Sequence, residues 1–412
     1  MNIYLIIILT ILIGECIIYT VVEILNLYHN KRNELPEEFK GFYDVNKYRI
    51  SQEYLREKTA LMLIENVFFT SIIIVFILVG GFNFIDTIVR RYVDIEIVRG
   101  LIFVGIIVFI YQVLNVPFLA YHTFVIESKY GFNRTTLRIF FLDILKSLFL
   151  IVLIGGIIFS LVFLIFDRMG RWGWLYSWII VSVFQVFLVF IAPALILPMF
   201  NKFTPLEEGE LKEAIKNYAQ SQSFEVKEIF KMDASKRTTK SNAFFTGFGK
   251  YRRIALFDNL IEKHSIDELV SILAHEIGHY KKKHILKNMV LSLFTTGLMF
   301  FLLSYFINNK DLFSAFKMEE VSIYASIILF FFLYQPIYAI FSVIENFFSR
   351  RYELQADNYA VSTYNKPEEY ILALKKLTVD NFSNLTPHPA KVFLYYSHPP
   401  VLKRIEAIRK IS

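Results

Sequence analysis

His275, Glu276 and His279 lie in the stretch HEIGH and share the HExxH spacing. On an α-helix, residues four apart sit one turn apart on the same face. Two imidazoles at 275 and 279 can therefore converge on one cation. Neutral imidazole nitrogen binds Zn2+ at about 2.0–2.1 Å, so this spacing suits zinc. Glu276 projects beside such an ion, where it can take a proton from an activated water. The chemistry is metal-assisted hydrolysis, with His275 and His279 on the metal and Glu276 as general base. The plain alternative is a pair of buried histidines hydrogen-bonded in a core.

The element that must present these residues is a helix over 266–284. Ser265 and Glu268 make a capping box at its start, and Leu269, Leu273 and Ile277 repeat at helical spacing. Gly278 is small enough to let a neighbouring segment pack close. A third ligand has to come from elsewhere. The HExxHxxGxxH continuation fails, because Lys282 stands at the glycine position. His284 comes five residues after His279 rather than six, and behind Lys281–Lys283 it reads as a solvated helix-end residue. Farther along, SRRYELQADNYA (349–360) places Glu353 and Asp357 one turn apart on a second helix. A glutamate with an aspartate one turn later is the gluzincin arrangement. Glu353 is then the third ligand, and Asp357 orients a ligand histidine from behind. The competing assignment for Glu353 is a solvated carboxylate paired with Arg350.

The surrounding chain reads as membrane protein. Of 412 residues, 55% are hydrophobic and 20% charged, with the charges segregated. Mean hydropathy is +0.46. Cys16 is the single cysteine and lies in an apolar run, which excludes an intrachain disulfide and a cysteine metal site. A bilayer-crossing helix needs about 20 apolar residues. Seven stretches qualify, at 3–26, 61–82, 100–125, 145–166, 174–200, 288–308 and 321–344. The first lacks a basic flank and is read as a retained helix rather than a signal peptide. Pro193 and Pro198 predict a kink or break at the end of the fifth. The domains follow: a membrane region 1–200 with five spans, the HExxH half of a protease domain at 201–287, spans six and seven at 288–344, and the second half at 345–412.

Seven spans put four polar segments on one side, and these hold 36 of the 44 Lys and Arg; the opposite side holds 7. By the positive-inside rule the catalytic face is cytosolic. The net charge of +7 is accounted for in this way, and no nucleic-acid partner is called for. The spans also carry Glu15, Glu23, Glu65, Asn66, Gln112, Asn115, Gln185 and Gln335. Such groups either pair between helices or line a wet chamber.

Several ordered motifs carry a family likeness. HTFVIESKYGFNRTT (122–136), FNKFTPLEEGELKEAI (200–215), ASKRTTKSNAFFTGFGKYRRIALFDNLI (234–261), HEIGH, RRYELQAD and YSHPPVLKRI (396–405) resemble those of the type I CAAX prenyl proteases. The resemblance spans nearly the whole chain. It implies an all-α multi-pass membrane protein, with seven long transmembrane helices enclosing a chamber. A gluzincin-like α+β zinc metalloprotease domain would close the cytosolic side. It implies one Zn2+ per chain held by His275, His279 and Glu353. It also implies that His398 and Arg404 act on the scissile carbonyl or its oxyanion, with Asn242, Ala243 and Phe244 beside the substrate. An edge strand there could pair with an extended peptide. Asn242 could instead cap a turn, and His398 could instead fix the SHPP turn.

The expected partners are a peptide or protein substrate, lipidated, and membrane lipid. NLTPHP (384–389) and the short loop 309–320 look more like bacterial members, and AIRKIS shows no ER-retrieval signal. The location is then the endoplasmic reticulum membrane in a eukaryote or the inner membrane in a bacterium, where the substrate would be other than a prenylated protein. Two rival readings remain. One is a membrane quality-control metalloprotease acting on unprenylated or translocon-stalled proteins. The other is a non-enzymatic transporter or scaffold, against which an intact HExxH with a downstream Glu speaks.

Overall fold

Backbone polar groups find no water in hydrocarbon, so a spanning segment must satisfy them within a helix. The computed structural model, which describes residues 2–32, 34–226, 228–246 and 253–411, has seven helices long and apolar enough to cross a bilayer. They run Ile3–Asn30, Val45–Leu78, Glu96–Glu127, Leu137–Met169, Gly173–Phe200, His284–Phe306 and Ile323–Tyr364. All seven expected spans are among them.

The helices are longer than hydropathy alone indicates. The second starts at Val45, where the Asp44 side chain accepts the Lys47 N–H, because the polar stretch before residue 61 is rich in helix formers. The seventh runs unbroken for 42 residues, so the domain boundary drawn at 344/345 falls inside a single rod. Near Pro193 the fifth span passes through a π-helical segment, Ala192–Ile196, where a kink or break was expected. Two further π-helical segments, His122–Glu127 and Ile151–Gly155, were not foreseen.

A cavity of about 1050 Å³ opens among the first, second, third and seventh spans. Glu15, Tyr19, Asn66, Tyr111, Gln335 and Tyr395 interrupt its apolar lining. The polar span residues thus divide between both expected roles. Glu15, Asn66 and Gln335 line the chamber, while Glu23 pairs with Lys391 at 2.7 Å and Gln185 donates to Thr296 at 2.9 Å.

The protease domain is assembled from the polar segments. Its strands are β1 (Phe203–Pro205), β2 (Glu228–Met232), β3 (Ala243–Thr246) and β4 (Arg253–Phe257). They order as β1-β2-β4-β3, with β2 and β4 parallel and the other pairs antiparallel. Its helices are α1 (Glu210–Ser221), α2 (Asp258–Lys263), α3 (Ile266–Lys281), α4 (Pro367–Asp380), α5 (Pro389–Tyr395) and α6 (Val401–Arg409). Leu269, Leu273 and Ile277 of α3 pack into one core with Ile229 and Leu256 of the sheet and Ile371 of α4.

Ion pairs tie the loops between spans to this domain. Glu38 meets Lys375 at 2.9 Å and Arg409, Glu127 meets Lys240 at 2.7 Å, and Asp143 meets Arg237 at 2.9 Å. The four basic-rich segments therefore gather at one end of the molecule. At the other end, Asp86 on the short helix Gly81–Tyr92 is 1% exposed. Its carboxylate accepts from Arg90 Nε at 2.6 Å and from the Tyr324 hydroxyl.

Candidate active site

Local sequence sets the start of α3. Ser265 Oγ accepts the Glu268 N–H at 3.2 Å, which is half of the expected capping box. The other half does not form. Glu268 is 1% exposed, and a buried carboxylate needs countercharge. It turns to Lys376 Nζ at 2.6 Å and the His264 ring at 2.7 Å. The helix stops at Lys281, three residues before the expected end. Lys283 takes a left-handed backbone, φ 58, and His284 opens the sixth span.

Gly278 decides how close α3 comes to the seventh helix. A Cβ there would lie 3.1 Å from both Ala356 Cα and its carbonyl oxygen, tighter than ordinary van der Waals contact. The bare glycine lets the two backbones touch, and this sets His275 and His279 opposite Glu353. His275 Nε2 and His279 Nε2 are 3.1 Å apart. Glu353 Oε2 is 3.3 Å from His275 Nε2, and Oε1 is 3.1 Å from His279 Nε2.

One atom from each residue falls within a 4.8 Å cluster suited to a metal ion. Glu353 is 4% exposed, yet its Oε2 is buried and accepts no hydrogen bond. Burial alone would lower the His275 pKa, but the Asp357 and Glu353 carboxylates overcome it and raise it to about 9. The position favours positive charge. A buried carboxylate whose two oxygens each face an imidazole nitrogen, one of them without a hydrogen bond, fits a divalent cation. Glu353 does not pair with Arg350, which donates instead to the carbonyls of Val392 and Tyr396.

Behind this group, Asp357 Oδ1 meets His275 Nδ1 at 2.8 Å. Arg404 was expected to face the substrate carbonyl. Its Nε and Nη2 are instead turned onto Asp357, at 2.8 and 2.6 Å, and Nη2 also donates to the Tyr370 hydroxyl at 2.8 Å. That hydroxyl donates to Asp357 at 2.6 Å. The buried aspartate thus holds two of the guanidinium nitrogens behind His275, while Nη1 lies 3.7 Å from Glu353 Oε2.

Glu276 makes no hydrogen bond or ion pair among the described residues. Desolvation by the surrounding protein raises its carboxyl above the ordinary value. His398 Nε2 lies 3.4 Å from Glu353 Oε1 with its side chain 63% exposed, and Ser397 Oγ is 2.9 Å from its Nδ1. Desolvation by the adjoining protein lowers its pKa, although most of the side-chain surface is open.

Asn242 is exposed, and its Oδ1 accepts the Ala243 N–H at 2.8 Å. It leads into β3, whose Ala243 and Phe244 pair with Leu256 and Ala255. The side chain of Phe244, and residues 247–252 of the quoted motif, lie outside the described residues. The sequence reading missed two residues. Tyr370 is buried between Asp357 and Arg404. His284 was expected to be solvated, but it is 2% exposed and contacts His279, because the turn at Lys283 folds it back.

Comparison with known proteins agrees with this geometry. Residues 24–202 match the family described as CAAX prenyl protease N-terminal, five membrane helices, and residues 205–412 match peptidase family M48. The chain is 37% identical over 314 residues to the CAAX prenyl protease 1 homolog of Oryza sativa subsp. japonica, covering 76% of this chain and 74% of the relative. It is 32% identical over 405 residues to CAAX prenyl protease 1 of Saccharomyces cerevisiae, covering 92% and 89%. The crystal structure of S. mikatae Ste24p superposes with a TM-score of 0.92 at 31% identity, over 99% of both chains. With its helix order, its metal-facing cluster and these matches over nearly its whole length, the chain belongs to the CAAX prenyl protease family of M48 metallopeptidases, as a multi-pass membrane metalloprotease.

Proposed function

We propose that this chain is a zinc metalloendopeptidase that removes the C-terminal peptide from isoprenylated CAAX-type proteins. The observation that carries it is the meeting of His275, His279 and Glu353 beside a Glu276 that pairs with none of the described residues, in a chain whose spans enclose a cavity. His275 Nε2, His279 Nε2 and Glu353 would hold the ion, and two imidazoles with one carboxylate are a known catalytic zinc set. When bound, zinc lowers the pKa of water and polarises the carbonyl.

This chain's residues do the rest. The Glu276 carboxylate takes the proton of the attacking water and passes it to the leaving amine. His398 Nε2, exposed beside Glu353, donates to the developing oxyanion. Arg404 acts through Asp357, fixing the ring of His275. Strand β3 is an edge of the sheet, so an extended substrate can add to it next to Asn242. The basic end carrying the domain is the cytosolic one.

The cavity reaches Tyr395, three residues from His398, so a lipid-bearing substrate has an apolar space near the cutting point. A farnesylated CAAX peptide compared with its unprenylated twin tests this on purified protein. The prenylated peptide is expected to be cut faster, and a chelator should abolish both reactions. Equal rates would remove the lipid-reading part and favour a quality-control protease. Chelator-insensitive cleavage would remove the metal.

A further inference from the structure

The two imidazoles of the cluster are supported unequally. His275 rests on the Asp357 carboxylate. Among the described residues His279 has no carboxylate behind it: its Nδ1 lies 3.0 Å from His284 Nδ1. His284 is 2% exposed, its Nε2 lies 3.0 Å from Gln355 Oε1, and its ring stacks on Tyr352 with centroids 4.4 Å apart and planes 13° from parallel.

With Gln355 Oε1 toward His284 and both rings neutral, the protons in this row have one placement. Gln355 Oε1 only accepts, so His284 Nε2 carries a hydrogen. A neutral His284 then has a lone pair on Nδ1, and the hydrogen in the imidazole–imidazole contact belongs to His279 Nδ1. That leaves the lone pair of His279 on Nε2, facing His275 Nε2 and Glu353. The geometry points to His284 and Gln355 as a positioning relay that fixes the tautomer and ring angle of His279, and through them the affinity for the metal. Neither residue touches substrate. Tyr352 supplies the flat surface that keeps the His284 ring in plane, and Lys283 supplies the turn that brings it there. Outer partners of metal-bound histidines act in this way, by holding orientation and basicity. A neutral relay in place of a carboxylate does so without adding a negative charge beside Glu353 and Asp357. The inference rests on the reading that His275, His279 and Glu353 hold the ion.

Zinc stoichiometry and dissociation constant, measured by chelator competition on the full chain in detergent, test it with zinc alone as probe. His284→Phe keeps a ring on Tyr352 but removes the acceptor, and should weaken zinc binding by about 10–100-fold. His284→Asn puts an amide oxygen near the place of the lost Nδ1 and should recover most of that loss. Gln355→Leu removes the far acceptor and should give an intermediate weakening. Imidazole nitrogen NMR shifts should show His279 protonated at Nδ1 in the wild type. Wild-type affinity in His284→Phe would overturn the relay, as would His284→Asn binding no better than His284→Phe. If neither His284 variant folds, Gln355→Leu decides, and unchanged affinity overturns the proposal. A wild-type chain that takes up no zinc, or a His275→Ala chain that binds it normally, would instead defeat the underlying metal assignment.

Discussion

The molecule buries a carboxylate cluster at each end, and the two are finished differently. At the end away from the domain, Asp86 has both oxygens taken, one by Arg90 and one by Tyr324. The loose atom there is a donor, Arg90 Nη2. At the domain end, Asp357 is likewise fully engaged, but Glu353 Oε2 has only ion-pair contacts, 3.3 Å to His275 Nε2 and 3.7 Å to Arg404 Nη1, with no hydrogen bond, and Glu276 stands alone among the described residues. Leaving a buried carboxylate oxygen without a hydrogen bond is costly, by about 1–3 kcal/mol. A fold keeps that arrangement where something outside the chain completes it. The Asp86 cluster is therefore closed on itself, while the Glu353 cluster is arranged as the proposed metal site requires.

The sharpest way to break this contrast is Glu276→Gln. Losing the proton carrier should lower turnover by about 10²–10⁴-fold, while metal content and melting temperature stay at wild-type values. Turnover within tenfold of wild type would mean that another group is the base. The same residue sets an acid limb. Its raised carboxyl pKa means that the proton-accepting form is lost as pH falls through a midpoint above 4.5, the ordinary value. Below that midpoint kcat/KM should drop about tenfold per pH unit. A limb at or below the ordinary value would contradict the desolvated setting of Glu276.

At the other end, Arg90→Met leaves Asp86 buried without its cation. It should cost about 3–5 kcal/mol of stability, read as a fall in melting temperature, with unchanged turnover per folded molecule. A specific activity defect there would erase the distinction between the two ends. The smallest effect belongs to Tyr324→Phe, which removes one hydrogen bond and should cost about 1–2 kcal/mol. Unchanged stability would show that Arg90 alone is enough for Asp86.

Much of this was legible in the chain. Long apolar runs announce helices because a bilayer permits little else, and HExxH announces a metal-facing pair because of helical spacing. Glu353 and Asp357 were found through their own one-turn spacing. The failures share a cause, which is burial that only tertiary packing reveals. His284 follows three lysines and looks solvated, and nothing local indicates that Lys283 will adopt a left-handed turn and return the ring to His279. Glu268 matches a capping box, but once buried it binds Lys376 and His264, which outbid a backbone N–H. Arg404 lies in a recognisable motif, yet its hold on Asp357 and Tyr370, beside its approach to Glu353, depended on residues arriving from two other helices. The polar stretch before residue 61 hid the helix from Val45 because hydropathy reports solvent, not helicity.

The unbroken seventh helix has a mechanical consequence. The rod that crosses the bilayer also carries Glu353, so the membrane grips one wall of the reaction centre directly. From Ile323 to Glu353 the rod is about 45 Å long at about 1.5 Å per residue, and a tilt of about 5° sweeps the far end by about 4 Å. Helices tilt to match bilayer thickness. Cleavage rates in vesicles of graded acyl-chain length should therefore pass through an optimum, and a flat response would show that α3, locked to the rod at Gly278 and Ala356, travels with it.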